Sequence, residues 1–205
     1  MIEKLNEYNE LFIKNNSHGE ISDKSVFKFC NCSSKLILTA PHATCTFCNK
    51  KIKIPDLYTG AIVKYLGETN NVSTIVRTKF VSQKRLISNY IEKQKLQNHY
   101  FLDIHGFNQE IEYDVCLGTG NMDSKDYPYL QEIYAIIEKY NLRPIINHPN
   151  YMGKAGLTGR YQDKFSKPNV IQMELKYYLR DFYNQPMIFK EKTLPMLNDI
   201  IKLYK

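Results

Sequence analysis

Apolar residues recur along this chain with two periods, and the alternation between them outlines a fold. In residues 2–13, Ile2, Leu5, Tyr8 and Phe12 fall three or four apart, which predicts an amphipathic helix lying on a larger body. The polar, turn-rich stretch NNSHGEISDKS follows and reads as a linker. Beyond it, short apolar runs alternate with helical periodicity. KLILTA (35–40), STIVRT (73–78), HYFLDIHG (99–106), YDVCLGTG (113–120) and RPIINHP (143–149) predict strands, while LYTGAIVKYLGE (57–68), RLISNYIEKQKLQ (85–97), PYLQEIYAIIEKYN (128–141) and residues 193–204 predict helices. NVIQMELKYYLR (169–180) reads as a strand or as a strand passing into a helix.

Near-continuous apolar strands separated by helices belong to a sheet covered on both faces. The predicted class is therefore α/β, a three-layer α/β/α architecture with a mixed, mostly parallel central sheet. Residues 1–34 form the N-terminal amphipathic helix and linker packed on the body, and residues 35–205 a single α/β domain. In such a sheet, ligands bind beyond the carboxyl ends of the strands. Three apolar runs end there in polar residues: Pro41-His42-Ala43 after LILTA, Asp103 and His105-Gly106 in and after YFLDI, and Glu174 inside VIQMELK. An unpaired polar group in such a place costs ~1–3 kcal/mol or more, and convergence on a metal would compensate all three. Zinc takes imidazole and carboxylate ligands, keeps a position for water in catalytic sites, and leaves proton transfer to a carboxylate that is not a ligand. Each residue also has a plainer reading, the histidines as hydrogen-bonded turn residues and Glu174 as the outward position of an alternating strand. His18, His99 and His148 have weaker claims, lying in the linker, at a strand start and before a proline.

Composition narrows the class further. With 205 residues, 43% of them hydrophobic and 13% aromatic, the chain can bury a core without disulfides or metal and is too apolar for disorder. It contains no run of ~18–20 apolar residues, so no membrane helix is predicted. The N-terminal stretch lacks an apolar signal region, making the cytoplasm the expected location, where five cysteines stand as thiols or metal ligands rather than bridges. Lys and Arg number 28 against 21 Asp and Glu, for a net charge of +7, but no block of five or six like charges occurs. That dispersion argues against nucleic acid, the acidic partner that such a charge would otherwise suit. Cys30-x-Cys32 and Cys45-x-x-Cys48 offer a rival, a four-cysteine structural zinc site in a non-catalytic nucleic-acid- or protein-binding module. Residues 35–41 in extended form span ~20 Å and separate the two pairs, so the rival needs KLILTAPHA to fold back as a hairpin or knuckle.

Taken in order, APHATCTF, DLYTGAI, FLDIHGF, YDVCLGTG, INHPNYMGKAGLTGRY and VIQMELKYYLR resemble the N-formylglutamate amidohydrolase family and related zinc carboxypeptidase-like hydrolases. The resemblance covers residues 36–180. It implies a mixed α/β sheet and a single zinc ion that serves hydrolysis of an amide or peptide bond in a glutamate-like or N-acyl amino acid substrate. His42 and His105 would be zinc ligands and Glu174 the general base and proton shuttle. Zinc carboxypeptidases place a Glu three residues after the first His, where this chain has Cys45, so the third ligand lies between Asp56 of DLYTGA and Cys45, with Asp56 preferred. Asp56 has its own plain reading, as N-cap of the helix over 57–66. Arg77, after the second strand, and Arg160, in the glycine-rich loop, would bind a substrate carboxylate, with Arg85 a third choice and surface charge the alternative for all three. Tyr151 or Tyr161 could donate to the amide oxygen's developing charge.

Overall fold

The computed structural model describes residues 1–205 apart from Asn49, Lys84, Arg85 and Gln109 and the side chain of Cys48. The chain runs α1 (Ile2–Ser17), β1 (Phe27–Cys30), β2 (Leu36–Ala40), β3 (Thr46–Cys48), β4 (Lys51–Lys53), α2 (Thr59–Asn70), β5 (Ser73–Arg77) and α3 (Ile87–Lys93). It continues β6 (Tyr100–Phe107), β7 (Val115–Gly118), α4 (Leu130–Lys139), β8 (Pro144–Ile146), α5 (Leu157–Phe165) and β9 (Val170–Lys176). The last strand passes directly into α6 (Tyr177–Arg180), followed by α7 (Pro186–Ile188), a π turn (Phe189–Thr193) and α8 (Leu194–Lys202).

Among the described residues the main sheet has seven strands in the order β1-β5-β2-β6-β9-β7-β8. The central β5, β2, β6 and β9 are parallel; β1 is antiparallel at one edge, and β7 runs antiparallel to β9 with β8 parallel to β7. This is the mixed, mostly parallel α/β sheet that the apolar runs predicted. Leu38, Ala40, Leu102, Ile104, Met173 and Leu175 point to one face and join the larger core with residues of α1, α2, α4 and α8. Ile37, Ile75, Phe101 and Val170 point to the other, against Ile87 and Ile91 of α3 and Leu157 and Tyr161 of α5.

Several elements differ from the expectation. The stretch after α1 is held to the sheet: Glu20 N–H donates to the Thr78 carbonyl (2.9 Å), Phe80 N–H to that of His18 (2.8 Å), and Gly19 bridges Lys79. The last residues of α1 already leave helical geometry, turning left-handed through Asn15, Asn16 and Ser17, a conformation asparagine tolerates better than most residues. The edge strand β1, the hairpin β3–β4 and the helix α5 were not expected. The hairpin is short and lysine-bearing, with β4 exposed, and α5 carries a glycine and polar residues in its first turns. The 85–97 helix ends at Lys93, as Lys95 adopts a positive φ, and its first predicted residue lies outside the described residues.

Candidate active site

One face of the sheet changes character along its strands. Ile37, Phe101 and Val170 at the amino ends are covered by α3 and α5; two and four residues further on, the same face carries Thr39, Asp103, His105, Gln172 and Glu174. All five are buried. Strand register sets Asp103 beside Thr39 and Gln172, and His105 directly beside Glu174, which in turn faces Cys116 of β7. Period-2 alternation thus delivers a polar cluster at the carboxyl ends of β2, β6 and β9.

His105 is its centre. Asp56 Oδ2 lies 3.0 Å from Nδ1 and Asp103 Oδ2 3.0 Å from Nε2, while Thr39 Oγ1 donates to the other Asp103 oxygen. Burial opposes charge on the imidazole, but the Asp103, Asp56 and Glu174 carboxylates overcome it and raise the His105 pKa well above its ordinary value. His42 follows β2 and Pro41, its ring centroid 5.0 Å from that of His105 and its Nδ1 3.3 Å from Thr46 Oγ1. Burial, and then the charge of His105, push its pKa well down, so it is neutral.

The Asp56 loop is tied to the His42 turn, because the Asp56 N–H donates to the His42 carbonyl at 2.9 Å. The Asp56 side chain does not cap α2: that helix begins at Thr59 after Tyr58, a left-handed residue, with no side-chain cap, and the carboxylate reaches His105 and Lys53 (3.4 Å) instead. Burial works against the Asp56 carboxylate, yet the hydrogen bond from His105 and the charges of His105 and Lys53 keep its pKa well below the usual range. Glu174 has the opposite balance. Burial dominates and lifts it to about 7, and Gln172 Nε2 donates to its Oε1 at 3.0 Å.

The remaining sequence candidates divide. The Tyr151 ring packs at a tilt against that of Phe107, centroids 5.0 Å apart, and burial together with the nearby Glu174 charge raises its phenol to about 12. Tyr161 is a core residue whose hydroxyl donates to the Gln97 carbonyl (2.8 Å). Arg77 is buried, donates from Nε to the Pro41 carbonyl (2.8 Å) and lies over the Phe27 ring, bracing the turn that carries His42. Arg160 sits on α5 rather than in a loop, because Gly156 caps a helix there, and its Nε donates to Ala155 in the preceding turn (3.1 Å). Arg85 lies outside the described residues. The Cys45 thiol donates to the Asn16 carbonyl (3.9 Å). Cys30 is opposite Thr74 and the Cys32 N–H bonds Ser73 Oγ (2.9 Å), level with the first half of β2, whereas Cys45 lies past its end. β2 is extended through the sheet and does not fold back as the four-cysteine arrangement requires.

Sequence reading named Asp103 among the polar strand-end residues without giving it a role, and did not single out Gln172 or Lys53. Asp103 and Gln172 were detectable, each standing two residues before a candidate on the same strand face. Lys53 carries no such local signal.

As a metal centre, the donor chemistry fits. Two imidazoles and a carboxylate are the ligand types of a three-ligand zinc site, and a histidine gripped from behind by a buried carboxylate is the usual outer support of one. Asp56 Oδ2 and His105 Nδ1 already face each other. As the side chains stand, no three His, Cys, Asp or Glu among the described residues are gathered closely enough to hold an ion.

No protein-family model and no curated protein matches the chain. Solved structures do. A bacteriophage poly-gamma-glutamate hydrolase aligns at 10% identity over 89% of this chain and 93% of that one, with a TM-score of 0.54. A structure described as YNDL in its apo, zinc-free form aligns at 14% identity over 88% and 93%, with a TM-score of 0.52. N-formylglutamate amidohydrolase from Ralstonia eutropha JMP134 aligns at 10% identity over 86% and 97%, with a TM-score of 0.54. The likeness is one of fold, and the fold is the one that the sequence motifs pointed to.

Proposed function

We propose that this chain is a zinc-dependent hydrolase of an amide or peptide bond in a small acidic substrate, glutamate-like or an N-acyl amino acid. His105 carries this reading: it faces Asp56 on one side and pairs in register with Glu174 on the next strand. The fold neighbours named as a poly-gamma-glutamate hydrolase, an N-formylglutamate amidohydrolase and a zinc-free apo protein agree with it. His42, Asp56 and His105 would hold the ion. When bound, zinc supplies Lewis-acid polarisation of the amide carbonyl and lowers the pKa of water.

The rest of the chemistry falls to the chain's own side chains. Glu174, lifted to about 7 by burial, accepts a proton from the attacking water and returns it to the leaving amine at neutral pH. Gln172 fixes the direction of that carboxylate through its 3.0 Å bond to Oε1. Asp103, itself held by Thr39, keeps the His105 ring oriented with Nδ1 toward Asp56. Tyr151, its phenol proton retained to about pH 12, donates to the oxygen on which negative charge develops. Arg77 and Arg160, the sequence candidates for the substrate carboxylate, both donate from Nε to backbone carbonyls.

The test is hydrolysis of a panel of γ-glutamyl, N-acyl-glutamyl and C-terminal peptide amides by the zinc-loaded protein. Glu174→Gln should retain zinc and lose ~10²-fold or more in kcat. Unchanged turnover would remove Glu174 from the chemistry, and no turnover of any panel member by the wild type would overturn the activity.

A further inference from the structure

Cys30 and Cys32 stand apart from the candidate centre, level with the first half of β2. Cys30 pairs in register with Thr74, and the Cys32 N–H donates to Ser73 Oγ at 2.9 Å, so the chain follows β5 past the end of β1. Residues two apart along an extended chain face the same way, which puts both thiols on one side of the sheet. They lie within hydrogen-bonding reach of each other, and burial first, then the Cys30 thiol, raises the Cys32 thiol above its ordinary pKa. Cys30 is exposed and Cys32 half-buried, and the two open on a cavity of about 820 Å³ between α1, α2 and the β1–β5 edge.

The spacing suits a cation better than a disulfide. At ~3.3 Å per residue the two Cα atoms stand about 6.6 Å apart, near the limit of the ~4.4–6.8 Å that a disulfide spans. Two sulfurs gripping one ion at ~2.3 Å each need stand only ~4–5 Å apart, which thiols already in hydrogen-bonding reach satisfy. The donor set then selects the ion. The acids lining the same cavity are engaged elsewhere, Asp23 with Lys28 (2.9 Å), Glu20 with Lys14 and Glu68 with Tyr8. Among the described residues no third His, Cys, Asp or Glu joins the pair. Structural zinc sites close a tetrahedral shell, and calcium and magnesium take oxygen ligands, so two sulfurs suit neither class. A soft monovalent ion, Cu(I), is satisfied by two thiolates.

We propose that Cys30 and Cys32 form a two-coordinate binding site for Cu(I), separate from the candidate active centre. Binding forms two copper–sulfur bonds while both thiol protons leave to solvent, so the bound pair carries one net negative charge. Lys28, two residues before Cys30 on the same strand face, and Lys64 of α2 line the cavity and oppose that charge. The site is independent of the hydrolase reading, because it shares no residue with the set His42, Asp56, His105 and Glu174.

The probe is Cu(I) alone, titrated anaerobically into the reduced, full-length protein against bicinchoninate, a competing chelator whose copper complex is coloured. Wild type should hold one Cu(I) per chain and release two protons on binding it. Cys30→Ser and Cys32→Ser are near-isosteric changes outside both hydrophobic cores, so each should keep the Tm of the wild type. Each should bind Cu(I) at least about a hundredfold more weakly, since one thiolate remains. An equal concentration of zinc should leave the copper in place. Cu(I) retained in full by Cys30→Ser or by Cys32→Ser would overturn the proposal. So would displacement of the copper by equimolar zinc, or a wild type that yields all its copper to bicinchoninate.

Discussion

Replacing Phe12 with alanine asks whether the N-terminal helix is part of what supports the site. Phe12 is 3% exposed and belongs to the larger core. Its ring comes so near Gly60 that a Cβ there would meet Phe12 Cε2 at 2.8 Å and Ala43 Cβ at 2.6 Å. Ala43 follows His42, so the ring, the first turn of α2 and the histidine loop pack as one unit. Truncating a buried phenylalanine costs about 3–5 kcal/mol, a large share of the ~5–15 kcal/mol typical of a folded domain. For a chain of this length each kcal/mol is worth about 2–4 °C, giving a fall in Tm of about 6–20 °C. Urea denaturation followed by far-UV circular dichroism should show a lower midpoint with an unchanged slope. Leu11→Ala, on the same helix but 42% exposed, is the control and should stay within about 0.5 kcal/mol. A loss below about 1 kcal/mol for Phe12→Ala, or equal losses for both variants, would refute the packing argument.

Two further outcomes follow from particular contacts. Gly106→Ala forces the Arg180 guanidinium from its place beside β6, so stability should fall by about 1–3 kcal/mol; an unchanged urea midpoint for this variant would contradict the geometry. Burial alone would raise the Asp114 carboxyl, but Arg143, donating to it from its backbone N–H (2.9 Å) and Nε (3.2 Å), holds it below its ordinary value. A pKa depressed on folding stabilises above the ordinary carboxylate range, and that contribution is lost as pH falls below about 3.9. Asp114→Asn should therefore lower Tm at pH 7 and shrink the difference in Tm between pH 7 and pH 3, and an unchanged difference would show that the pair contributes nothing.

The central sheet was legible because its strands are buried on both faces and so read as unbroken apolar runs in LILTA, YFLDI and VIQMEL. Those runs also exposed His42, His105 and Glu174, since a polar residue ending a buried strand is conspicuous against its neighbours. The edge elements left weaker traces: β1 and the β3–β4 hairpin are short and partly exposed, and α5 has a glycine in its first turn. Asp56 was visible only through the resemblance, because its place beside His105 depends on a loop from a different part of the chain. The buried place of Arg180 was invisible for a similar reason. An arginine ending a short helix reads as solvated charge, and its burial is created by Gly106, 74 positions earlier (180 − 106), and by carbonyls at Leu57 and Leu175. Contacts across the sheet decide such roles, and no local pattern encodes them.

The most direct test of the account is bound zinc per chain, measured on purified wild type, His105→Ala and Glu174→Gln. If His42, Asp56 and His105 are the ligands and Glu174 the base, wild type and Glu174→Gln carry one zinc each and His105→Ala carries none. Zinc retained by His105→Ala, or lost from Glu174→Gln, would contradict the assignment of roles at this site.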